Sequence, residues 1–263
     1  MEAIRVERRE GLATITLDRP EKKNALGAQS WIELDRVLAE LALDPDARAL
    51  VVTGAGGNFS AGADLTGGKP GEGLTGRPRQ PLVQEMREIG DIILRLHRMP
   101  KPTLAVVDGV CMGVGLGLAL ACDLVLASDR ARFSEIFARR GLALDGGNSW
   151  LLPRRIGLHK AKELAFFADV IDAKEAESVG LVNKVVPASE LDAVAEQWGR
   201  RLAAGPTLAL GLSKRLLDAS ASISLAQALE DEARCQHITA ASADLREGIA
   251  AFLERREPKF SGR

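Results

Sequence analysis

The chain has 263 residues, of which 46% are hydrophobic, and a formal net charge of −1 at pH 7. A chain of this length can bury a substantial core, as one large domain or a domain with an appendage. Its near-zero charge offers no basic surface for nucleic acid. No stretch approaches the roughly 18 uninterrupted apolar residues of a membrane span, and the charged N-terminus lacks the apolar segment of a signal peptide. We therefore expect a soluble, cytoplasmic protein that binds neither nucleic acid nor membranes.

The three cysteines, Cys111, Cys122 and Cys235, are odd in number, and the first two lie in apolar runs. This usage indicates reduced core thiols rather than a metal site or a disulfide framework.

The first hundred residues predict a hairpin, a helix, a strand and a second helix. Residues 4–8 and 12–17 alternate as the strands of a hairpin do. A turn leads into an amphipathic helix through Leu41, and residues 49–53 form a short buried strand. Residues 82–98 predict a helix, which two prolines close.

A strand followed by a glycine-rich turn occurs twice. Residues 49–53 precede the small-residue turn 54–65, and residues 104–107 precede the turn 108–115. Parallel strands joined by helices place such turns at one sheet edge, where open α/β folds bind ligands. Two turns that each offer a backbone N–H to one point would make an oxyanion hole. The alternative is a helix whose glycines only ease tight packing in the core.

The second turn leads into a buried helix, to about residue 121, and a further apolar strand at 124–127. Gly113, Gly115 and Gly117 do not follow the GxGxxG spacing of dinucleotide-binding folds.

Residues 66–80 are polar, rich in glycine and proline, and without periodicity. They predict a loop that is either a lid over a site or a tolerated insertion.

The remaining chain is short and irregular over 131–137 and 139–147 and then mainly helical. Helices are predicted over residues 160–168, 189–204, 207–220, 224–241 and 243–255. We therefore divide the chain into an α/β region over residues 1–200 and an α-helical appendage over residues 201–263.

Motifs along the whole chain resemble the crotonase, or enoyl-CoA hydratase/isomerase, superfamily. They are DRP (18–20) with NAL (24–26), FSAGADL (59–65), KP (101–102), the glycines of the second turn with CD (122–123), GLVNKVV (180–186) and the segment from Glu247 to Phe260. The resemblance implies a spiral of ββα units with a C-terminal α-helical trimerisation region, assembled as a homotrimer or dimer of trimers. It also implies acyl-CoA thioester substrates, no metal, and no cofactor beyond the coenzyme A carried by the substrate.

The same resemblance places an oxyanion hole at the backbone N–H groups of Ala63 and Val114. Both would polarise the thioester carbonyl and stabilise the enolate oxygen. Other positions that the resemblance and the pattern assign to substrate binding are Ala25, Ala61, Asp64, Leu65 and Gly113, with Lys259 and Phe260 reaching the nucleotide, often from a neighbouring subunit. Lys259 is equally well read as a solvated charge of the tail.

The chain departs from the hydratase pattern at both catalytic glutamates. In the superfamily that this chain resembles, hydratases use one glutamate to activate water and another to deliver a proton. The corresponding positions hold Gly117 and Phe137. We expect these residues to make the acyl pocket more apolar and roomier, with Trp150 as part of its wall.

Asp145 is the candidate catalytic base. It lies in GLALDGGNSWLLPR (141–154), which resembles the ring-opening isomerases of phenylacetate degradation. That subgroup also lacks both glutamates and carries an aspartate here, although Leu144 replaces its usual proline. One carboxylate can remove a proton beside a thioester carbonyl and return it at another carbon, and apolar surroundings would raise its pKa. The alternative is a turn aspartate that accepts from local N–H groups.

Glu135 is a second candidate, because two residues' separation in an extended segment would place it on the same face as Phe137. Otherwise it is a solvated or ion-paired residue. His97, His159 and His237 are scattered and are expected at the surface.

Three functions remain open. The first is an acyl-CoA isomerase that uses Asp145 and the oxyanion hole of Ala63 and Val114. The second is an enoyl-CoA hydratase that uses Asp145, with or without Glu135. The third, of a different class, is an acyl-CoA-binding member without turnover.

Overall fold

The computed structural model describes residues 2–66, 73–76 and 78–263. The strands are β1 (Ile4–Arg9), β2 (Leu12–Leu17), β3 (Ala49–Gly54), β4 (Thr103–Val107), β5 (Val110–Met112), β6 (Leu124–Ser128), β7 (Arg132–Ser134), β8 (Ile171–Asp172) and β9 (Lys184–Val186). The helices are α1 (Ala28–Leu43), α2 (Leu82–His97), α3 (Val114–Leu120), α4 (Asn148–Ile156), α5 (Leu158–Phe167), α6 (Ala173–Ser178), α7 (Leu191–Ala204), α8 (Thr207–Ala219), α9 (Leu225–Ala240) and α10 (Ala243–Glu254). The longer elements agree with their predicted bounds to within about two residues.

The main sheet has six strands in the order β1-β2-β3-β4-β6-β9. The β1–β2 hairpin is antiparallel, and every later pairing in this sheet is parallel. The adjacent strands β3 and β4 therefore end at the same edge, which brings the two glycine-rich turns side by side.

A second, three-stranded sheet of β5, β7 and β8 lies where the sequence predicts only turns and irregular chain. These strands have two or three residues each, which is too short for an alternating pattern to be recognised. A bridge between Ser60 and Cys111 joins this sheet to the turn that follows β3.

Both faces of the main sheet are covered. The larger core lies on one face and includes the buried stripe of α1 with Trp31, Leu34 and Leu38. On the other face, side chains of α7 pack on Val51, Leu104 and other apolar residues of the parallel strands. All three cysteines are buried free thiols, as predicted.

The division proposed at residue 200 falls inside α7, which continues to Ala204 before Gly205 and Pro206 interrupt the chain. The C-terminal tail folds back to the amino end of β3, where the guanidinium of Arg48 donates to the carbonyl oxygens of Gly205 at 2.7 Å and Phe260 at 2.9 Å. Helices α8 to α10 leave large apolar side chains exposed, among them Leu217, Leu225, Leu229, Ile249, Phe252 and Leu253.

Residues 67–72 and 77 of the loop predicted over residues 66–80 lie outside the described residues, so its role as a lid or an insertion stays a prediction. Over the described ranges, no helix combines the length and apolar character that crossing a bilayer requires.

Helix α3 is buried along its whole length, and another part of the chain approaches it backbone to backbone. A Cβ atom at Gly117 would lie 2.3 Å from the carbonyl oxygen of Gly146. Since backbone cannot swing aside as a flexible side chain does, α3 tolerates only glycine at this position.

We expect Gly117→Ala to lower the free energy of unfolding by about 1–3 kcal/mol, because the overlap forces the Gly146 turn to move. Urea unfolding of the purified protein measures the change. Gly90→Ala is the matched control: Gly90 is exposed within α2 with nothing within 4 Å of its would-be Cβ. That substitution should stabilise by about 0.5–1 kcal/mol through helix propensity. Equal effects of the two substitutions would contradict the close approach.

Candidate functional site

The two glycine-rich turns converge and are joined by backbone hydrogen bonds. The N–H of Ser60 donates to the carbonyl of Val110 at 2.9 Å, and the N–H of Met112 donates to the carbonyl of Ser60 at 2.9 Å. The Ser60 hydroxyl is buried and donates to the carbonyl of Asn24 at 2.9 Å. The convergence that the sequence pattern left open is thus present in the fold.

Ala63 and Val114 face one cavity of about 340 Å³. The residues on either side of Ala63 are hydrogen-bonded to Leu26: the N–H of Leu26 donates to the carbonyl of Gly62 at 2.8 Å, and the N–H of Asp64 donates to the carbonyl of Leu26 at 2.9 Å. In the part of the chain that the structure describes, neither the Ala63 N–H nor the Val114 N–H donates to a protein acceptor. Two free donors at one cavity are what an oxyanion hole needs.

Gly113 sets the direction of the second donor. Its φ of 53° and ψ of −125° turn the chain sharply into α3, and its own N–H is held by the carbonyl of Ser134 at 2.9 Å. A positive φ of this kind favours glycine.

Asp145 lines the same cavity, together with Ile136, Phe137 and Leu142. Burial raises the pKa of Asp145 to about 6. Its Oδ1 is buried and has no hydrogen-bond partner among the described residues. The side chain therefore does not accept from local N–H groups, as the turn-aspartate alternative requires. It is a desolvated carboxyl on the cavity that also holds the two free donors, and its role as the base stays a prediction.

The structure corrects two expectations about Glu135, its position beside Phe137 and its exposure to solvent. The segment after it is not extended but a 3₁₀-helix, Ile136–Arg140, so the argument that alternation places it beside Phe137 does not hold. It is also neither solvated nor ion-paired: its side chain is fully buried, and neither carboxyl oxygen has a hydrogen-bond partner within the described ranges. Burial, and secondarily the charge of Asp145, raise the pKa of Glu135 to about 8. At neutral pH this carboxyl is therefore mainly protonated.

Asp64 is an anchor at the rim of the cavity. Arg19 and Lys22 each donate to its Oδ2 at 2.9 Å, and Thr66 donates to its Oδ1. Burial opposes ionisation of this carboxyl, but hydrogen bonds from Lys22, Thr66 and Arg19 outweigh it and hold the pKa of Asp64 well below its usual range. Asp64 therefore stays ionised and is unsuited to proton transfer near neutral pH.

The remaining predicted binding residues divide into those at the cavity and those elsewhere. Ala25, Ala61, Leu65, Gly113 and Phe137 line the cavity. The sequence analysis missed Lys22 and Arg140, two cations that also line it. Lys22 stands inside the DRPEKKN turn, so its position in a family motif was the available signal; nothing in the local pattern pointed to Arg140.

The prediction that Gly117 enlarges the pocket is wrong. The carbonyl of Gly146 takes the space where a side chain at position 117 would stand, and Gly117 does not line the cavity. Phe137 is buried and lines the cavity, and its contribution to an apolar acyl pocket stays a prediction.

The prediction that Trp150 walls the same pocket is also wrong. Trp150 packs edge-on against His97, with ring centroids 5.4 Å apart, and under the guanidinium of Arg154 at 3.7 Å. It lines a separate cavity of about 940 Å³ between α2, α4 and α8. His97, expected at the surface, is instead partly buried there, and burial lowers its pKa.

Lys259 and Phe260 do not line either cavity within one chain. The N–H of Lys259 donates to Glu247 at 2.7 Å, and Arg48 holds the carbonyl of Phe260 at the amino end of β3. That Lys259 and Phe260 reach the nucleotide of a substrate bound by a neighbouring subunit stays a prediction.

Comparison with known proteins shows the family to which the chain belongs. A family model described as enoyl-CoA hydratase/isomerase matches residues 7–263. A Rhodobacter capsulatus protein named "Probable enoyl-CoA hydratase" is 42% identical over 99% of this chain and 98% of its own length. The 1,2-epoxyphenylacetyl-CoA isomerase of Escherichia coli is 36% identical over 100% of both chains. The crystal structure of enoyl-CoA hydratase from Bacillus anthracis has a TM-score of 0.91 and 28% identity, and covers 99% of this chain and 100% of that one.

We expect Glu135→Gln to stabilise the protein, and by clearly more at pH 8.5 than at pH 5.5. The unfolded carboxyl ionises near 4.5 and the folded one near 8. Between those values the folded state binds more protons, so stability falls as pH rises. The amide keeps the shape without ionising. Calorimetry should show a Tm gain of roughly 5 °C at pH 8.5.

Glu232→Gln is the control for that measurement, because Glu232 is exposed on α9 and its side chain makes no hydrogen bond or ion pair among the described residues. It should show the same Tm difference from wild type at both pH values. A Glu135→Gln difference that is equally pH-independent would mean that Glu135 ionises as an ordinary surface carboxyl does.

Proposed function

This chain is an enzyme of the enoyl-CoA hydratase/isomerase family, and we propose that it shifts the double bond of an enoyl-CoA thioester with Asp145 as its single base. The observation that carries the proposal is the position of the Asp145 carboxyl. It is desolvated, unpartnered at Oδ1, and lies on the cavity that holds both free N–H donors. A buried hydrophobic ring, Phe137, occupies the position that the family resemblance assigns to a second glutamate in hydratases.

The reaction begins when the thioester carbonyl oxygen accepts hydrogen bonds from the N–H groups of Ala63 and Val114. The Asp145 carboxylate removes a proton from the α-carbon of a 3-enoyl thioester, and the electron pair of the broken C–H bond moves into an extended enolate. The negative charge rests on the carbonyl oxygen, where each donor is worth about 10²–10³-fold in rate. Protonated Asp145 then returns the proton to the γ-carbon, which gives the 2-enoyl thioester and restores the base.

The cations at the rim suit the coenzyme A part of such a substrate. Lys22 is held by Asp64, and Arg140 ends the 3₁₀-helix whose Ile136 and Phe137 also line the cavity. We propose that both attract the phosphate groups, which guanidinium and ammonium groups bind well.

Hydration is the second candidate function, and the buried state of Glu135 favours it. A protonated carboxyl near Asp145 is able to donate a proton while Asp145 activates water, a division that hydration needs. Against it, Glu135 does not line the cavity, and the second carboxylate among the described lining residues, Asp64, is bonded to Arg19 and Lys22 and stays ionised.

We also propose that the enzyme works in the cytoplasm as a homotrimer or a dimer of trimers. The free cysteines support the location, and the exposed apolar side chains of α8 to α10 support assembly through the helical region.

Mass spectrometry of products formed in H₂¹⁸O tests the reaction type, with a 3-enoyl-CoA and, separately, a 2-enoyl-CoA as substrates. A shifted double bond without ¹⁸O supports isomerisation. Uptake of ¹⁸O as a 3-hydroxyacyl-CoA supports hydration, and its loss in Glu135→Gln would assign the second carboxyl. Tight binding of the thioesters with no turnover would support the non-catalytic function.

We expect Asp145→Asn to lower kcat by about 10²–10⁴-fold, because the amide keeps the shape but cannot accept the proton. Stopped-flow absorbance of the conjugated product measures the rate, and isothermal titration checks that thioester binding is retained. Asp192→Asn, an exposed aspartate in the first turn of α7, is the control and should keep full activity. Activity of Asp145→Asn equal to wild type would remove Asp145 from the mechanism.

We expect kcat/KM of the wild-type enzyme to rise between pH 5 and 7 with a midpoint near 6. The base must be ionised to act, and burial raises its pKa to about 6. Steady-state rates measured across this range at constant ionic strength check the midpoint. A profile that is flat from pH 5 to 8 would argue against a desolvated Asp145 as the base.

A further inference from the structure

The peptide unit between Gly113 and Val114 carries one proposed donor of the oxyanion hole at its nitrogen. At its other end, its carbonyl oxygen accepts two hydrogen bonds. The carbonyl oxygen of Gly113 accepts from the N–H of Gly117 at 3.1 Å and from the Nδ2 of Asn148 at 3.1 Å. In a planar trans peptide the N–H and the C=O point in opposite directions. Holding the oxygen on one side therefore directs the Val114 N–H toward the cavity on the other.

Asn148 connects this peptide to the base. Its backbone N–H donates to the carbonyl of Asp145 at 3.1 Å, so one residue is bonded to both halves of the site. The side chain is fully buried. Its Oδ1 has no hydrogen-bond partner within the described part of the chain. A buried amide oxygen without a partner is uncommon and destabilising, so its presence needs an explanation.

That unsatisfied oxygen separates two roles. If Asn148 served packing alone, an apolar side chain of the same size would serve equally well. Such a side chain would also leave no buried carbonyl unpaired. What an apolar side chain lacks is the Nδ2–H bond to Gly113. A donor at a peptide carbonyl also polarises that peptide, which strengthens the N–H at its other end.

Building on the proposed function, we propose that Asn148 is a positioning residue for the oxyanion hole. Through Nδ2 it holds and polarises the Gly113–Val114 peptide, and through its backbone it keeps that peptide in register with Asp145. Asn148 acts through the peptide and does not touch the substrate.

The direct measurement is the carbonyl stretch of a bound 2-enoyl-CoA labelled with ¹³C at the thioester carbon, taken by isotope-edited infrared difference spectroscopy. Asp145→Asn serves as the reference enzyme, because we expect it to bind the thioester and to turn it over about 10²–10⁴-fold more slowly than wild type. We expect its bound carbonyl to absorb at lower frequency than free thioester. In Asp145→Asn/Asn148→Leu, that shift should fall to about half or less.

Kinetics supply a second readout in the active enzyme. Asn148→Leu should lower kcat by about 10–100-fold, less than the 10²–10³-fold loss of a whole donor, with a smaller change in KM. Its Tm should stay near that of wild type. Asn148→Ala, whose smaller side chain has no donor at all, replaces Asn148→Leu in both experiments if the leucine variant does not fold.

Asn183→Leu is the structural control, because it removes another side-chain-to-backbone hydrogen bond, at an exposed asparagine. Its Oδ1 accepts from the N–H of Val125 at 2.7 Å, and it does not line the cavity. It should lower stability while leaving the carbonyl shift and kcat unchanged.

The outcomes distinguish the two proposals. A shift in the reference enzyme that persists unchanged without the Asn148 amide would overturn the role of Asn148 and leave the oxyanion hole intact. No shift in the reference enzyme would overturn the oxyanion hole, and the role of Asn148 with it. A shift that falls in the double variant but not with Asn183→Leu supports both.

Discussion

The site depends on the hydrogen-bonded contact between the turn that follows β3 and the turn that follows β4. Because the two strands pair in parallel, both turns begin at the same edge of the sheet. The hydrogen bonds between Ser60, Val110 and Met112 extend the pairing beyond the sheet. The contact leaves little room: a Cβ at Gly62 would lie 3.0 Å from the carbonyl oxygen of Met112. Because the two donors belong to backbone held in this way, their positions do not depend on side-chain rotamers.

Three carboxyl groups near this contact differ in charge because their surroundings differ. Asp64 is bonded to two cations and stays ionised, and burial without partners raises the pKa of Asp145 to about 6. Glu135 is buried more deeply, beside the charge of Asp145, and its pKa rises to about 8. Near neutral pH the site therefore holds a fixed anion, an available base and a neutral acid, and only the base lines the cavity without a hydrogen-bonded partner at its buried oxygen.

The glycine at position 117 and the aspartate at position 145 are linked through the backbone. The Gly146 carbonyl comes so close to Gly117 that any side chain there would displace the turn. Asp145 immediately precedes Gly146, so displacement of the turn would move the candidate base as well. The absence of a glutamate at position 117 is therefore a condition for the present position of Asp145 and does not enlarge the pocket.

Sequence periodicity by itself determined the longer helices and strands, and the motif order determined the family and predicted the two oxyanion positions and Asp145 as the base. These follow from local pattern, since the spacing of apolar residues reports which face of an element is buried. Only the tertiary structure decided that the two turns converge, that Glu135 is buried without a partner, and that Trp150 faces a different cavity. Only it brought the amide of Asn148 to the carbonyl of Gly113, 35 positions away in the chain. Each of these depends on which distant segment covers a given face, and a side chain's charge state and contacts are set by that covering segment rather than by its neighbours in sequence.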